Sequence, residues 1–221
     1  GRRWRFLWER LVIFMHLHFE RKRLFELDIA NTGTDITRLP EFQEADIIHL
    51  HWVNQGMLSL GDIRKILKTG KPVIWTMHDI WPATAICHLT LGCGNFRSGC
   101  HHCKYLPGGG GANDLSARVW RRKQTMLGAG NITFVACSKW LEQEAKSSAL
   151  LHGQMVTSIP NPIDITVFCP GSREEACAAE GLPVDKRLIL FVCQRVTNPN
   201  KGMQYLIDAC NKLAEEKPEM K

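Results

Sequence analysis

The sequence predicts an α/β protein built on a doubly wound parallel sheet, and three observations predict it. Short, almost wholly apolar runs recur along most of the chain. Helix-length segments separate them, and the residues that carry chemistry sit just after the runs rather than inside them. Strands that are apolar throughout belong to sheets covered on both faces, and the helices that connect parallel strands provide the cover.

The elements follow in order. Residues 4–25 read as one helix, with Trp4, Leu7, Trp8, Leu11, Phe14 and Met15 at helical spacing and arginines between them. A basic amphipathic helix with tryptophans lies in a membrane interface or covers one face of a sheet, and the second is expected here. Residues 45–51 form a strand, 58–68 a helix and 71–77 a strand. A cysteine-rich and then glycine-rich insertion precedes a helix over 114–127. Residues 132–137 are a strand, with Ser138 placed to cap the next helix, and 155–159 are a strand again.

Residues 161–170 contain Pro162 and Pro170 and lack periodicity, which suits a connection between domains. The expected division is a first domain over 1–165, interrupted by the insertion at 87–103, and a second beginning at 166. Residues 187–193 read as a fresh buried strand. Residues 202–216 read as a helix with Leu206, Ile207, Ala209, Cys210 and Leu213 on its apolar side. One strand and one helix do not make a domain, so the second is expected to be incomplete at Lys221.

With 221 residues, 44% hydrophobic and 23% charged, the composition is that of a globular protein able to bury a core. No apolar run approaches the roughly 20 residues of a membrane span. The sequence starts at Gly1 without a signal-peptide pattern. Nine cysteines, an odd number, argue for reduced thiols and one metal site rather than a disulfide framework, and so for a cytoplasmic protein. The net charge of +6 is uneven, with Arg2, Arg3, Arg5, Arg10, Arg21, Lys22 and Arg23 all in the first segment. Such a run meets anionic lipid or nucleic acid, or is a solvated face.

Cys87, Cys93, Cys100 and Cys103 place four thiols in seventeen residues, beside Gly92, Gly94 and Gly99. Four thiolates suit tetrahedral zinc, Cys-x2-Cys is the usual half-site, and glycines permit the tight turns. His88, His101 and His102 are alternative ligands, and unconnected buried thiols are the competing reading. A catalytic metal normally keeps an open position, so a structural zinc is expected.

In doubly wound folds, ligands bind at the carboxyl ends of strands. His51 ends one strand with Trp52 beside it, and His78 and Asp79 end the next. A lone histidine is usually structural, but two adjacent strands delivering one each would converge on a crevice. Further on, Arg195 follows the 187–193 run, and Lys201-Gly202 opens a helix. Two cations and a free helix N-terminus suit a diphosphate, although the pattern is not a Walker loop.

Together these segments resemble glycosyltransferase family 4, retaining enzymes of the GT-B fold, from about Asp28 onward. Asp46-Ile-Ile-His-Leu-His-Trp52 is similar to the family's strand ending in histidine. Trp75-Thr-Met-His-Asp-Ile-Trp-Pro82 with the spaced cysteines resembles a bacterial polysaccharide-biosynthesis subgroup. Val135-Ala-Cys-Ser-Lys-Trp-Leu141 and the 159–170 segment resemble the approach to the domain crossover, with Pro162 where glycine is usual. The family's first strand and glycine-rich loop, and its Glu-x7-Glu segment, have no counterpart here.

The resemblance implies sugar transfer, with retention, from a nucleotide-sugar to a glycan or lipid-linked acceptor. His78 would lie near the donor sugar or its diphosphate as the catalytic candidate, and His51 would shape the acceptor side. Arg195 and Lys201 would bind the diphosphate. No catalytic divalent metal and no nucleic acid would be needed, and residues 1–25 would give peripheral contact at the inner membrane face. The rival readings are a zinc-knuckle module binding nucleic acid, another Rossmann-like enzyme such as a dehydrogenase, and an inactive fragment of the same family.

Overall fold

The structure is a computed structural model that describes residues 1–217. It divides into two compact units, Gly1–Pro162 and Ile163–Lys221, each described by itself.

The first unit carries a four-stranded, all-parallel sheet of β1 (Ile48–Leu50), β2 (Val73–Met77), β3 (Thr133–Ala136) and β4 (Met155–Ser158), ordered β1-β2-β3-β4. Leu50 pairs with Trp75, Trp75 with Phe134 and Phe134 with Val156, so one apolar row crosses the sheet. The connections run through α3 (Leu60–Lys68), α4 (Leu115–Leu127) and α5 (Lys139–Lys146), after α1 (Arg2–His16) and α2 (Pro40–Glu44). Parallel strands joined in sequential order by right-handed crossovers place the connecting helices on the same face. α3 packs on α4, and α5 packs against β3 and β4. The Rossmann-like α/β architecture is consistent with the doubly wound class expected from the sequence.

The side chains say which face is the core. Leu50, Trp75, Met77, Phe134 and Ala136 are buried, and Trp75 stacks on Phe134 with ring centroids 5.8 Å apart. On the other face the row His49, Ile74, Thr133 and Met155 is half-buried or exposed. Among the described residues, that face is therefore only partly covered, because it presents imidazole and hydroxyl groups beside its apolar ones.

The helix termini follow local chemistry. Ser59 caps α3 in a reciprocal capping box with Asp62, Asp114 caps α4 through the Ala117 N–H, and Ser138 caps α5 through the Leu141 N–H. α1 stops at His16 rather than running to residue 25, and His18 and Phe19 turn the chain with φ of 50° and 67°.

The orientation of α1 differs from expectation. Its Trp4, Leu7, Trp8, Leu11 and Met15 are exposed, and it docks through Glu9, Arg10, Ile13 and Leu17. The polar pair decides this. The Glu9 carboxylate accepts the Ile29 and Ala30 N–H groups at 2.8 and 2.7 Å, which otherwise lack partners in the interior.

The second unit holds α6 (Arg173–Glu180) and α7 (Met203–Glu216). Residues 187–193 are not the buried strand expected. They form no ladder, and Ile189, Leu190 and Val192 are 62%, 86% and 78% exposed. A strand exists only by pairing, and the unit contains no other strand among the described residues. α7 does form where the apolar spacing predicts.

Gly33 is where backbone packs most closely on the α3 cap. A Cβ there would stand 2.1 Å from the Ser59 nitrogen and 2.5 Å from the Leu58 carbonyl carbon, both main-chain atoms. Gly33→Ala is expected to destabilise the first unit by about 1–3 kcal/mol in chemical denaturation. Gly61→Ala, whose Cβ would meet only Ser59 Oγ at 3.5 Å, is expected to be neutral or stabilising. Equal stability of the two variants would refute the close approach.

Candidate functional site

The carboxyl ends of β1 and β2 bring two of the expected residues together. β1 alternates buried Ile48, exposed His49 and buried Leu50, and the chain leaves the strand with His51 exposed beside it. β2 leaves with His78. The ring nitrogens His51 Nδ1 and His78 Nε2 are 3.1 Å apart, with the rings stacked at 24°. A single proton bridges such a pair, so one imidazole donates and the other accepts. His49 extends the group, its ring centroid 4.3 Å from that of His51 and its Nε2 bonded to Thr76 Oγ1 at 2.8 Å. Partial burial and the neighbouring His51 hold His49 below its ordinary pKa.

Behind these rings runs a chain of charges, buried at Arg10 and Asp28 and half-buried at His88 and Asp79, that sequence reasoning did not assemble. Trp52 Nε1 donates to Asp79 at 3.2 Å. His88 bridges two carboxylates at 2.7 Å each, through Nδ1 to Asp79 and through Nε2 to Asp28. Asp28 in turn accepts Arg10, whose other terminal nitrogen donates to the Leu24 and Leu27 carbonyls. Burial pushes the His88 pKa down, but the two carboxylates outweigh it and raise it to about 9. At neutral pH His88 is thus an imidazolium donating from both nitrogens. Burial also pushes Asp79 up, but hydrogen bonds from His88, the Trp81 N–H and Trp52 hold its carboxyl below the usual range. With both ring nitrogens occupied, His88 is not free to serve as the alternative metal ligand. The available signal was Asp79 following His78; the pairing of Asp28 with His88 spans 60 residues and left none.

A cavity of about 410 Å³ opens beside these groups, lined by His78, Asp79, His88, Leu91, Ser138 and Trp140 among others. His78 and Asp79 follow β2, and Ser138 follows β3, so the cavity lies where a parallel sheet binds ligands. Trp140 is 62% exposed and offers a flat apolar face.

Cys87, Cys93, Cys100 and Cys103 all line a second, far smaller cavity of about 20 Å³. That volume suits one water-sized occupant. All four are free thiols; burial pushes Cys87 up to about 11 and Cys100 up to about 12, so these two are neutral near pH 7 when no ion is bound. Among the described residues, no three histidine, cysteine or acidic side chains are arranged to hold a metal ion. The sulfurs share a cavity without converging on one point.

Next to it lies Lys123, fully buried on α4. Its ammonium donates to the Trp81 and Thr84 carbonyls at 2.5 and 2.9 Å and stands 3.3 Å from the Trp81 ring centroid. Burial pulls its pKa down to about 7, and the electrostatic groups acting on it most are Cys100 and Cys87.

Arg195 and Lys201 belong to the second unit. Both are exposed before α7, Lys201 as the last residue of a 3-10 turn (Pro199–Lys201); the Arg195 carbonyl accepts the Asn198 N–H and the Asn198 carbonyl accepts the Lys201 N–H. Gly202, at φ 78°, opens α7 without a side-chain cap, leaving its first N–H groups free of intrahelical and capping partners.

Part of the chain is similar to known glycosyltransferases. It is 29% identical over 93 residues to the colanic acid biosynthesis glycosyl transferase WcaC of Escherichia coli (strain K12), a match covering 38% of this chain and 22% of that protein. It is 40% identical over 68 residues to a D-inositol 3-phosphate glycosyltransferase of Nocardiopsis dassonvillei, covering 30% and 15%. The Mycobacterium tuberculosis (strain H37Ra) protein of the same name is 36% identical over 75 residues, covering 33% and 15%. The matches span less than a quarter of the length of these relatives. No family model and no solved structure matches it.

Asp28 holds the charge chain together, because it alone lies between Arg10 and His88. Asp28→Asn is expected to destabilise the protein by about 3–5 kcal/mol, the cost of leaving buried charges unpaired. Asp35→Asn, at the half-exposed pair with Lys65, is the control and should leave the unfolding midpoint almost unchanged. A loss under about 1 kcal/mol for Asp28→Asn would show that the chain is not a stabilising unit.

Proposed function

We propose that this protein transfers a sugar from a nucleotide-sugar donor to a carbohydrate or lipid-linked acceptor. The observation that carries the reading is the pairing of His51 and His78 at the tips of adjacent parallel strands, beside a cavity large enough for a sugar ring. The partial likeness to glycosyltransferases supports the reaction class.

The roles follow from the chemistry of leaving-group departure. A nucleoside diphosphate leaves as negative charge grows on its phosphates, and fixed donors and cations aimed at that charge lower the barrier. In the second unit, Arg195, Lys201 and the open N-terminus of α7 are suited to that task. In the first unit, His78 shares one nitrogen with His51, leaving Nδ1 to donate to, or accept from, a donor-sugar hydroxyl or phosphate. His51 likewise keeps Nε2 for the acceptor side. Asp79, fixed by His88, Trp52 and the Trp81 N–H, holds the turn that carries His78. No side chain at the site is assigned as a covalent nucleophile, and same-face attack by the acceptor hydroxyl gives retention.

The exposed Trp4, Leu7, Trp8 and Leu11 of α1, with Arg3 and Arg5 alongside, suit an anionic membrane surface at which a lipid-linked acceptor is met. Among the described residues no helix is long and apolar enough to cross a membrane.

The four cysteines are proposed to hold a structural zinc. Their common cavity fits one ion, and Lys123, buried without a carboxylate partner among the described residues, would gain a counter-charge from four bound thiolates. The sulfurs must turn inward to share the ion. Zinc there would staple the insertion that begins at Cys87 and His88.

Isothermal titration of the full-length protein with UDP- and GDP-sugars tests the transferase reading. Arg195→Ala and Lys201→Ala should each weaken donor binding about tenfold or more, a loss of at least ~1.4 kcal/mol. His78→Ala should reduce turnover far more than donor affinity. Absence of nucleotide-sugar binding, or unchanged affinity in both cation variants, would reject the proposal. For the metal, elemental analysis should give one zinc per chain, lost in Cys100→Ser together with a lower melting temperature. A metal-free wild-type protein whose stability does not respond to zinc or chelator would reject the zinc site.

A further inference from the structure

The outer surface of the first unit carries a second candidate binding site, away from the imidazoles and built from arginine. Arg118, Arg121 and Arg122 fall at i, i+3 and i+4 on α4, so they share one face, with Thr125 a turn further on. Arg64 approaches from α3. These four guanidinium groups line one open groove of about 420 Å³, with Thr125 and Gly61 among the other residues. Among the described residues, no carboxylate lines it.

Ordinary surface arginines are spread out or paired, and these are neither. Among the described residues, none of the four takes part in an ion pair. Two are oriented by side chains other than carboxylates, Arg118 with His16 Nε2 at 2.9 Å and Arg121 donating to Asn113 Oδ1. Among the described residues, Arg64 and Arg122 have no side-chain hydrogen bond, and both are exposed. Four like charges lining one concave surface repel one another, and the repulsion is relieved when an anion enters. The planar fork of arginine matches phosphate oxygens two at a time, so several forks from two helices select a multiply charged oxyanion over a single carboxylate. Gly61 lies in the first turn of α3, where an N–H has no intrahelical acceptor and the helix dipole is positive.

We propose that the α3–α4 groove binds a phosphate-bearing ligand carrying at least two negative charges, either a soluble diphosphate or the phosphate headgroups of an anionic lipid surface. The site is independent of the glycosyl-transfer reading, because none of its residues lines the strand-tip cavity. It stands or falls alone.

Two probes separate the sources. Inorganic pyrophosphate is titrated calorimetrically into the full-length protein, and vesicles of phosphatidylglycerol, with phosphatidylcholine vesicles as blank, are tested by co-sedimentation. The variant is Arg64→Gln/Arg122→Gln, which removes two charges and severs no hydrogen bond. The control is Lys186→Gln/Arg187→Gln, which removes the same charge from exposed positions of the second unit. Pyrophosphate binding that weakens at least tenfold in the variant and less than twofold in the control establishes a soluble-diphosphate site. Phosphatidylglycerol binding with that same pattern, without pyrophosphate binding, establishes a headgroup site. Failure of both probes to bind the wild-type protein, or equal losses in variant and control, overturns the proposal. Vesicle binding that survives intact in the variant, without pyrophosphate binding, overturns it too, since the exposed face of α1 then accounts for the contact.

Discussion

The line of charge from Arg10 through Asp28 and His88 to Asp79 is the constraint on which the first unit depends. It joins four pieces of chain distant in sequence: the first helix, the segment after it, the tip of β2 and the insertion that follows. Each charged group has its opposite within hydrogen-bond distance, which is the condition for keeping ions in a low-dielectric interior. Because the pairing is specific in direction, it also orients α1. A helix free to choose by hydrophobicity alone would bury its tryptophans. This one buries Glu9 and Arg10, because their partners are inside.

That choice has consequences on both sides of the helix. Inward, it supports Asp79, which holds Trp52 and the turn following His78, so the imidazole pair rests on a rigid base. Outward, it leaves an apolar stripe on display with arginines beside it. One set of ion pairs therefore links the candidate chemistry at the strand tips to the character of the surface at the far side of α1.

The insertion is organised around a different principle. Four thiols and a buried lysine occupy one region, with the lysine bound to the carbonyls of Trp81 and Thr84, just beyond the β2 tip. Neutral carbonyl acceptors and an aromatic face receive its hydrogen bonds without supplying a full counter-charge. A region so built is tuned to gain negative charge. His88 follows Cys87 directly, so whatever fixes the thiols also fixes the imidazolium that anchors Asp79.

By itself the sequence determined the elements whose signals are local. Apolar runs placed β1 to β4 within a few residues, and Ser138 was legible as a cap because capping acts over three residues, whereas the Ser59 and Asp114 caps emerged with the structure. His51 and His78 were readable as neighbours, since adjacent parallel strands bring their ends together. Tertiary structure decided what depends on partners. Residues 187–193 have the composition of a strand but no ladder to join. The spacing of α1 names its apolar face, yet the buried side is set by Asp28 and the Ile29 and Ala30 N–H groups. The Arg64 contribution to the α4 arginines, and the grip of two aspartates on His88, arise only when the chain folds. Periodicity encodes what a residue does to its own helix or strand; charge pairing and concavity belong to residues that meet across long stretches of chain, and no local pattern records them.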